Sequence, residues 1–214
     1  MVPLIKHLGL VEYQQTWQAM KQFTSARNVD TRDEIWLLHH FPVYTQGLAG
    51  KPEHLLHASD IPVVKIDRGG QITYHGPGQI VAYLMLDLRY WKLNVRGLVR
   101  LMEQAVIDLL APFGVIAQGR EEAPGVYVDG AKIAALGLKI RNGCCYHGLA
   151  FNVDMDLAPF AYINPCGFAG LRVTQAKDLG ICAPQSKLER QLAQNLIELL
   201  QQHRSEKSAK QLPM

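Results

Sequence analysis

Residues 68–79 run Arg-Gly-Gly-Gln-Ile-Thr-Tyr-His-Gly-Pro-Gly-Gln, which sets a guanidinium, a phenol and an imidazole among glycines and a proline. Gly69 and Gly70 remove side chains where a second group can approach the backbone, and Gly76-Pro77-Gly78 forces a sharp reversal. Arg68, Tyr74 and His75 can then converge on one pocket; the plainer alternative is a long hairpin connection whose polar groups face water. A second segment, residues 164–170, reads Asn-Pro-Cys-Gly-Phe-Ala-Gly. It presents Cys166 on a tight, accessible turn, unlike a thiol packed in a core. Near its reference pKa a thiol is only about 3% thiolate at neutral pH, so a nucleophilic cysteine needs a nearby cation or base.

Lys132 is the candidate cation. It begins the alternate set Lys132, Ala134, Leu136, Leu138 and Ile140 on the second strand of a hairpin turned at Asp129-Gly130, which places it on an otherwise apolar face. The same position suits a lysine that snorkels from a strand end to water, and the pattern leaves both readings open. The opposite set, Ala131, Ile133, Ala135 and Gly137, becomes small toward its far end, which admits a ligand or a packed helix equally well. His147 and the other histidines lack metal-ligand spacing, and Cys144 and Cys145 point to opposite faces of a strand as half-core residues do. Neither Gly-x-x-x-x-Gly-Lys-Ser/Thr nor Gly-x-Gly-x-x-Gly occurs, which removes the usual support for a nucleotide site.

The elements that must position these groups follow from periodicity. Tyr13, Trp17, Met20 and Phe23 recur at helical spacing and predict a helix from Glu12 to about Ala26, followed by an apolar strand at Ile35 to His39. Ile61 to Asp67 and Gln79 to Leu88 read as strands flanking the Arg68 stretch, and Leu98, Leu101, Met102, Ala105 and Leu109 mark a helix ending near Pro112. Gly125 to Val128, Ala131 to Ile140 and Cys144 to Val153 form a meander. Its connections, Asp129-Gly130 and Asn142-Gly143, readily supply the positive φ of tight hairpins. Ser186 with Glu189 three positions on is a capping-box pattern that opens a last helix through Leu188, Leu192, Leu196, Leu199 and Leu200. Hairpins with helices before, between and after them predict an α+β architecture on a mixed, mostly antiparallel sheet. A single domain is expected over residues 1–203, with the basic segment 204–214 as a solvated tail.

Bulk properties narrow the function classes. At 214 residues, 48% hydrophobic and 19% charged, the chain suits one globular core. Its longest apolar runs, such as Ile80 to Leu86, fall far short of the roughly 18 to 20 residues that span a bilayer, so no membrane segment is expected. The start from Met1 to Leu10 lacks the basic-then-apolar pattern of a signal peptide, which leads to an expected cytoplasmic location. A formal charge of +3 is too small to argue for nucleic acid, although it is compatible with an acidic protein partner. Cys144, Cys145, Cys166 and Cys182 show no paired spacing and are expected to be free thiols.

Taken together, residues 68–79, the run Gly-Ala-Lys-Ile-Ala-Ala-Leu-Gly at 130–137 and the Cys166 turn closely resemble the lipoyl(octanoyl) transferase family. The resemblance keeps the same order from about Phe41, through Pro42-Val43-Tyr44-Thr45-Gln46-Gly47, to about Gly180. It implies a fold shared with the biotin and lipoate protein ligases. It also implies transfer of an octanoyl group from octanoyl-acyl-carrier protein to a lysine of lipoyl domains, those of 2-oxoacid dehydrogenase complexes and the glycine cleavage H protein, with no cofactor and no metal. Under it, Cys166 is the acyl-thioester nucleophile and Lys132 lowers its pKa. Substrate binding falls to Arg68, Gly69, Gly70, Gln71, Ile72, Thr73, Tyr74 and His75, to Ala135, Leu136 and Gly137, and to Gly148, Leu149 and Ala150. Exchange of one thioester for another is nearly balanced, so no ATP is needed, and Lys132 or His75 could manage the proton of the acceptor amine. Burying the methylenes of an octanoyl chain at ~0.8 kcal/mol each contributes about 5 kcal/mol, which predicts an apolar groove. Two rivals fit similar outlines: an ATP-dependent lipoate or biotin protein ligase, which needs no thiol, and a non-catalytic module that binds acyl carriers or lipoyl domains.

Overall fold

Residues 80–85 serve two cores at once: Ile80, Ala82 and Leu84 enter one hydrophobic cluster, and Val81, Tyr83 and Met85 enter another. A strand buried on both faces belongs in the middle of a covered sheet. The computed structural model, which describes residues 1–209 apart from the Cys166 side chain, shows that arrangement. In chain order the elements are β1 (Leu4–Val11), α1 (Tyr13–Ala26), β2 (Glu34–His40), β3 (Val43–Gln46), β4 (Val63–Lys65), β5 (Ile72–His75), β6 (Gln79–Met85), α2 (Leu88–Trp91), α3 (Val95–Leu110), β7 (Gln118–Gly119), β8 (Gly125–Val128), β9 (Ala131–Arg141), β10 (Cys144–Asn152) and α4 (Gln185–Ala209).

Seven strands form one sheet in the order β1-β2-β6-β10-β9-β8-β7, parallel at β1–β2 and antiparallel elsewhere. A smaller sheet, β4-β3-β5, lies apart from it. The fold is thus α+β with a mixed, mostly antiparallel sheet. On one face of the large sheet Leu98 and Met102 of α3 and Leu192 and Leu196 of α4 close the main core. On the other face Tyr13 and Met20 of α1 close a second core with Trp36, Leu38 and Val81.

Three differences from the sequence pattern have physical causes. β1 carries no hydrophobic alternation because it is an edge strand with mostly exposed side chains, and its pairing shifts at Gly9, whose φ is +68°. Residues 68–79 are not one connection: they contain β5, which pairs with β3 in the small sheet, and end at the start of β6, an interior strand of the large one. Gly76-Pro77-Gly78 therefore passes the chain between sheets. Gly78 has φ +84°, and a Cβ there would sit 1.9 Å from the Asp154 carbonyl oxygen. Third, α4 starts at Gln185 behind Pro184, which leaves Ser186 inside the first turn; Glu189 instead reaches His7 of β1 at 2.9 Å. α4 continues to Ala209, and residues 210–214 of the expected tail lie outside the described residues. No helix among the described residues is long and apolar enough to cross a membrane.

Candidate active site

The two sheets enclose a cavity with about 490 Å³ of empty space, part of it open to solvent. β5 contributes Ile72, Thr73 and His75; the preceding loop contributes Arg68, Gly70 and Gln71; β9 contributes Ala135, Leu136 and Gly137; β10 contributes Gly148, Leu149 and Ala150. Tyr13, Val81, Tyr83 and His147 complete the lining. Room for it comes from Gly137 and Gly148, which face each other in register across β9 and β10. A Cβ on Gly148 would lie 2.1 Å from the Ala82 carbonyl oxygen, and one on Gly137 would lie 2.9 Å from Cδ of Arg68. Two expected substrate residues stand elsewhere. Tyr74 follows strand alternation to the far side of β5, where it packs with Tyr44 and Phe160. Gly69 donates its backbone N–H to Leu138 at 2.9 Å and does not border the cavity.

The polar residues of the Arg68 stretch form a relay of hydrogen bonds. Arg68 donates from one guanidinium nitrogen to the carbonyl oxygen of Thr45 at 2.7 Å and to its hydroxyl at 3.0 Å. The Thr45 hydroxyl contacts Nε2 of His75 at 3.3 Å, and Nδ1 of His75 contacts Oε1 of Gln79 at 2.8 Å. Gln79 donates from Nε2 to Oδ1 of Asn152 at 2.9 Å, and Asn152 donates to the Thr174 carbonyl at 3.0 Å. Because the Gln79 oxygen can only accept, Nδ1 of His75 is the protonated nitrogen and Nε2 accepts from Thr45. Burial holds the His75 pKa down at about 3, so the ring is neutral near pH 7. With both nitrogens engaged, His75 is not placed to take the proton of an incoming amine. Its part is to fix the wall.

The relay ends beside Lys132. Thr174 donates its N–H to the Lys132 carbonyl at 2.9 Å, and the Lys132 N–H reaches Arg172 at 2.8 Å. The side chain is buried at 3% exposure, its Nζ donating to the Pro124 carbonyl at 3.2 Å and standing 5.1 Å from the Tyr127 ring centroid. Strict alternation groups Lys132 with Ala134, Leu136 and Leu138, and the structure corrects this. Val126 pairs with Ala134 but Tyr127 pairs with Lys132, so the register slips at Ile133. That bulge, which re-aims a side chain where two residues oppose one, brings Lys132 into a narrow space that it shares with Thr73, Ala135, Asn152 and Pro165. Thr73 and Ala135 border both spaces, so the two adjoin.

Cys166 occupies a 3-10 turn, Pro165–Gly167, in which the Gly167 N–H reaches Asn164 at 2.9 Å and Gly167 has φ +80°. Its side chain lies outside the described residues, so the expected Lys132–Cys166 pair is represented by Lys132 and by Pro165, the residue before the cysteine. Cys144 and Cys145 are buried and Cys182 is exposed, all three as free thiols. Thr45, Gln79 and Asn152, which carry the relay, were not singled out as site residues, although Thr45 and Gln79 lie in the quoted stretches. What couples them is pairing between separate strands, which no local pattern reports. A buried amine beside an apolar cavity and a cysteine turn is equipped for covalent acyl transfer.

Comparisons with known proteins place this architecture. Solved structures sharing the fold include lipoate-protein ligase A bound with ATP, at TM-score 0.78 and 16% identity over 94% of this chain and 86% of that one. They also include the biotin protein ligase from Aquifex aeolicus, at TM-score 0.58 and 12% identity over 96% of this chain and 72% of that one. The class is therefore that of the lipoate and biotin ligase fold. Within it, the chain belongs to the lipoyl protein ligase A/B catalytic domain family, which matches residues 12–201. It is similar to the octanoyltransferase of Nitrosomonas europaea, with 67% identity over 92% of this chain and 96% of that protein. It is also similar to the octanoyltransferase of Dechloromonas aromatica, with 60% identity over 94% and 98%.

Proposed function

We propose that the protein is an octanoyltransferase that moves an octanoyl group from octanoyl-acyl-carrier protein to a lysine of a lipoyl domain by way of a thioester on Cys166. In the first step the Cys166 thiolate attacks the donor carbonyl, a carbon–sulfur bond forms, and the carrier thiolate leaves and takes up a proton. In the second step the neutral acceptor amine attacks the new thioester, an amide forms, and the cysteine returns as thiolate while the amine loses a proton. Lys132 serves both steps. As a cation it favours the thiolate, each unit of pKa lowering corresponding to about 1.4 kcal/mol; as the amine close to the reacting centre it handles the transferred proton. The observation that carries the reading is Lys132 itself, buried at 3% exposure in a space that Pro165 borders and that adjoins the apolar cavity.

Arg68, Gln71, Thr73, Ala135 and Gly148 are assigned to the wall that receives the acyl chain, and His75 to holding that wall. The acceptors are lipoyl domains of 2-oxoacid dehydrogenase complexes and the glycine cleavage H protein, and the reaction belongs to the cytoplasm. The ATP-dependent ligase reading is less well supported: the ATP-bound neighbour shares 16% identity, against 60–67% for octanoyltransferases. Incubation with octanoyl-acyl-carrier protein, followed by intact mass and peptide mapping, is expected to show an octanoyl adduct at Cys166 without ATP. Absence of the adduct in a preparation that still octanoylates a lipoyl domain, or a requirement for ATP, overturns the reading.

A further inference from the structure

Glu103 shares one face of α3 with Arg96 and Arg100, which are exposed, yet it is itself only 8% exposed. Glutamate is seldom buried without a partner, because an uncompensated charge inside a protein is costly. Asp33 and Glu34 are buried to the same degree, and each has a cation at ion-pair distance, Arg27 and Lys6. Glu103 is held differently. Its Oε1 accepts the Gly125 N–H at 3.0 Å, and a Cβ on Gly119 would lie 2.6 Å from its Oε2. Burial raises the carboxyl above the usual range, and it is opposed by the Gly125 N–H, by Arg100 and Lys132, and by the Arg120 N–H.

Gly125 links this carboxylate to Lys132. Its N–H meets Glu103, whereas a Cβ on it would lie 2.9 Å from Cε and 3.1 Å from Nζ of Lys132. The carbonyl of the preceding residue, Pro124, accepts from the same Nζ at 3.2 Å. The absence of side chains at Gly119 and Gly125 thus brings a carboxylate and an ammonium to one residue of β8. The positive charge of Lys132 favours the ionised form of Glu103 against burial. Such coupling is reciprocal, so an ionised Glu103 strengthens the hold of Lys132 on its proton by the same factor.

That hold matters for the chemistry. Lys132 is 3% exposed, and burial favours a neutral amine, whereas stabilising a thiolate requires the ammonium. The Pro124 carbonyl and the Tyr127 ring face Lys132 as dipoles. The other charged groups on this side are cations: Arg100 beside Glu103 on α3, and Arg120, whose guanidinium lies 4.1 Å from the Tyr127 ring centroid. Arg172, next to the strand end, donates to the Asp129 carbonyl at 2.7 Å. Glu103 supplies the opposite charge.

We propose that Glu103 is a positioning residue for acyl transfer: bonded to Gly125, it fixes the segment whose carbonyl holds Lys132, and its carboxylate keeps Lys132 a cation while Cys166 is a thiolate. It acts through Lys132 rather than on the substrate. The inference rests on the acyl-transfer reading.

Glu103→Gln keeps an acceptor for the Gly125 N–H and removes the charge. Transfer from octanoyl-acyl-carrier protein to a lipoyl domain is followed as kcat/KM against pH, up to the alkaline limb where Lys132 loses its proton. In Glu103→Gln that limb is expected about one pH unit lower than in the native protein, about a tenfold loss on the limb, with the plateau below it within about threefold. A glutamate that only supports the fold leaves the limb in place. The converse measurement needs no turnover: a carboxyl-carbon NMR titration of Glu103 is expected to show it ionising about one unit higher in Lys132→Met than in the native protein. An unmoved limb in Glu103→Gln, or the same Glu103 titration with and without the lysine, overturns the proposal. Absence of an octanoyl adduct at Cys166 in the native protein counts instead against the transferase reading, and the carboxyl titration still judges the pairing of Glu103 with Lys132.

Discussion

The wall and the lip of the cleft are built on different terms. On the wall, made by β3, β5, β6 and β10, Arg68, Thr45, His75, Gln79 and Asn152 satisfy one another in sequence at 2.7–3.3 Å. On the lip, residues 158–167 run through two 3-10 turns tied to the rest by backbone bonds such as Leu56 to Tyr162 and Asn164 to His54, both 2.8 Å, and Tyr162 and Phe168 stand exposed. The difference matches what the two sides must do. Under the proposed mechanism, an acyl chain is small and needs one fixed slot, whereas its protein donor and acceptor approach the same cysteine in turn. Fixed polar networks suit the first task and an open, shallow edge suits the second.

Lys132 joins the two sides, so its removal gives the largest expected effect. Lys132→Ala is expected to lower transfer by a hundredfold or more, the scale of a lost proton-transfer group. The same variant, in a Cys182→Ser background that removes an exposed competing thiol, is expected to slow alkylation of Cys166 near neutral pH and to recover at alkaline pH. Superimposable alkylation profiles with and without the lysine break the link between wall and lip.

Next in size is a test of how rigid the wall is. In Gly148→Ala the new Cβ meets the Ala82 carbonyl oxygen at 2.1 Å, and that oxygen belongs to the backbone of the interior strand β6, which cannot yield cheaply. Overpacking of this kind costs about 2–3 kcal/mol, or about 5–10 °C in Tm for a chain of this size. A thermal midpoint unchanged from the native protein shows that the wall gives way and that the contrast with the lip is overstated.

The lip's chemistry was more legible than the wall's construction. Cys166 stands out because proline and glycines surround it locally, and the meander of β8, β9 and β10 because Asp129-Gly130 and Asn142-Gly143 announce their turns within two residues. The face of Lys132 was misread because the register slip at Ile133 depends on how β8 pairs with β9, and a bulge breaks the alternation on which the reading relies. Tyr74 was drawn to the pocket by its neighbours in sequence, yet a strand sends neighbours to opposite sides. The same holds for His147: its spacing speaks only against a metal, and a left-handed backbone angle that no local pattern announces sends it to Asp67. Residues whose role depends on a distant partner are invisible to local pattern.

The smallest expected effect concerns pH, and it asks whether the wall is as neutral as its hydrogen bonds require. Burial lowers the His75 pKa from 6.5 to about 3. Between those values the unfolded chain holds a proton on this ring that the folded protein does not, so the stability tied to a neutral His75 is present above about pH 6.5 and is lost as pH falls toward 3. His40, lowered to about 4, behaves in the same sense. Asp67, whose carboxyl is lowered, contributes nearer its own range, and Glu103, whose carboxyl is raised by burial, acts alike in both proteins, so between pH 6 and pH 5 the difference between the native protein and a His75 variant isolates His75. Urea unfolding across that window is expected to show native stability falling with decreasing pH, with His75→Gln reducing the slope by about 1.4 kcal/mol per pH unit. Gln can still donate to Gln79 and accept from Thr45, so the relay survives while the titration is removed. An identical slope in the two proteins means that His75 already carries a proton in the folded state. Nδ1 and Nε2 would then both donate, Thr45 could no longer donate to the ring, and the order of donors along the wall would have to be redrawn.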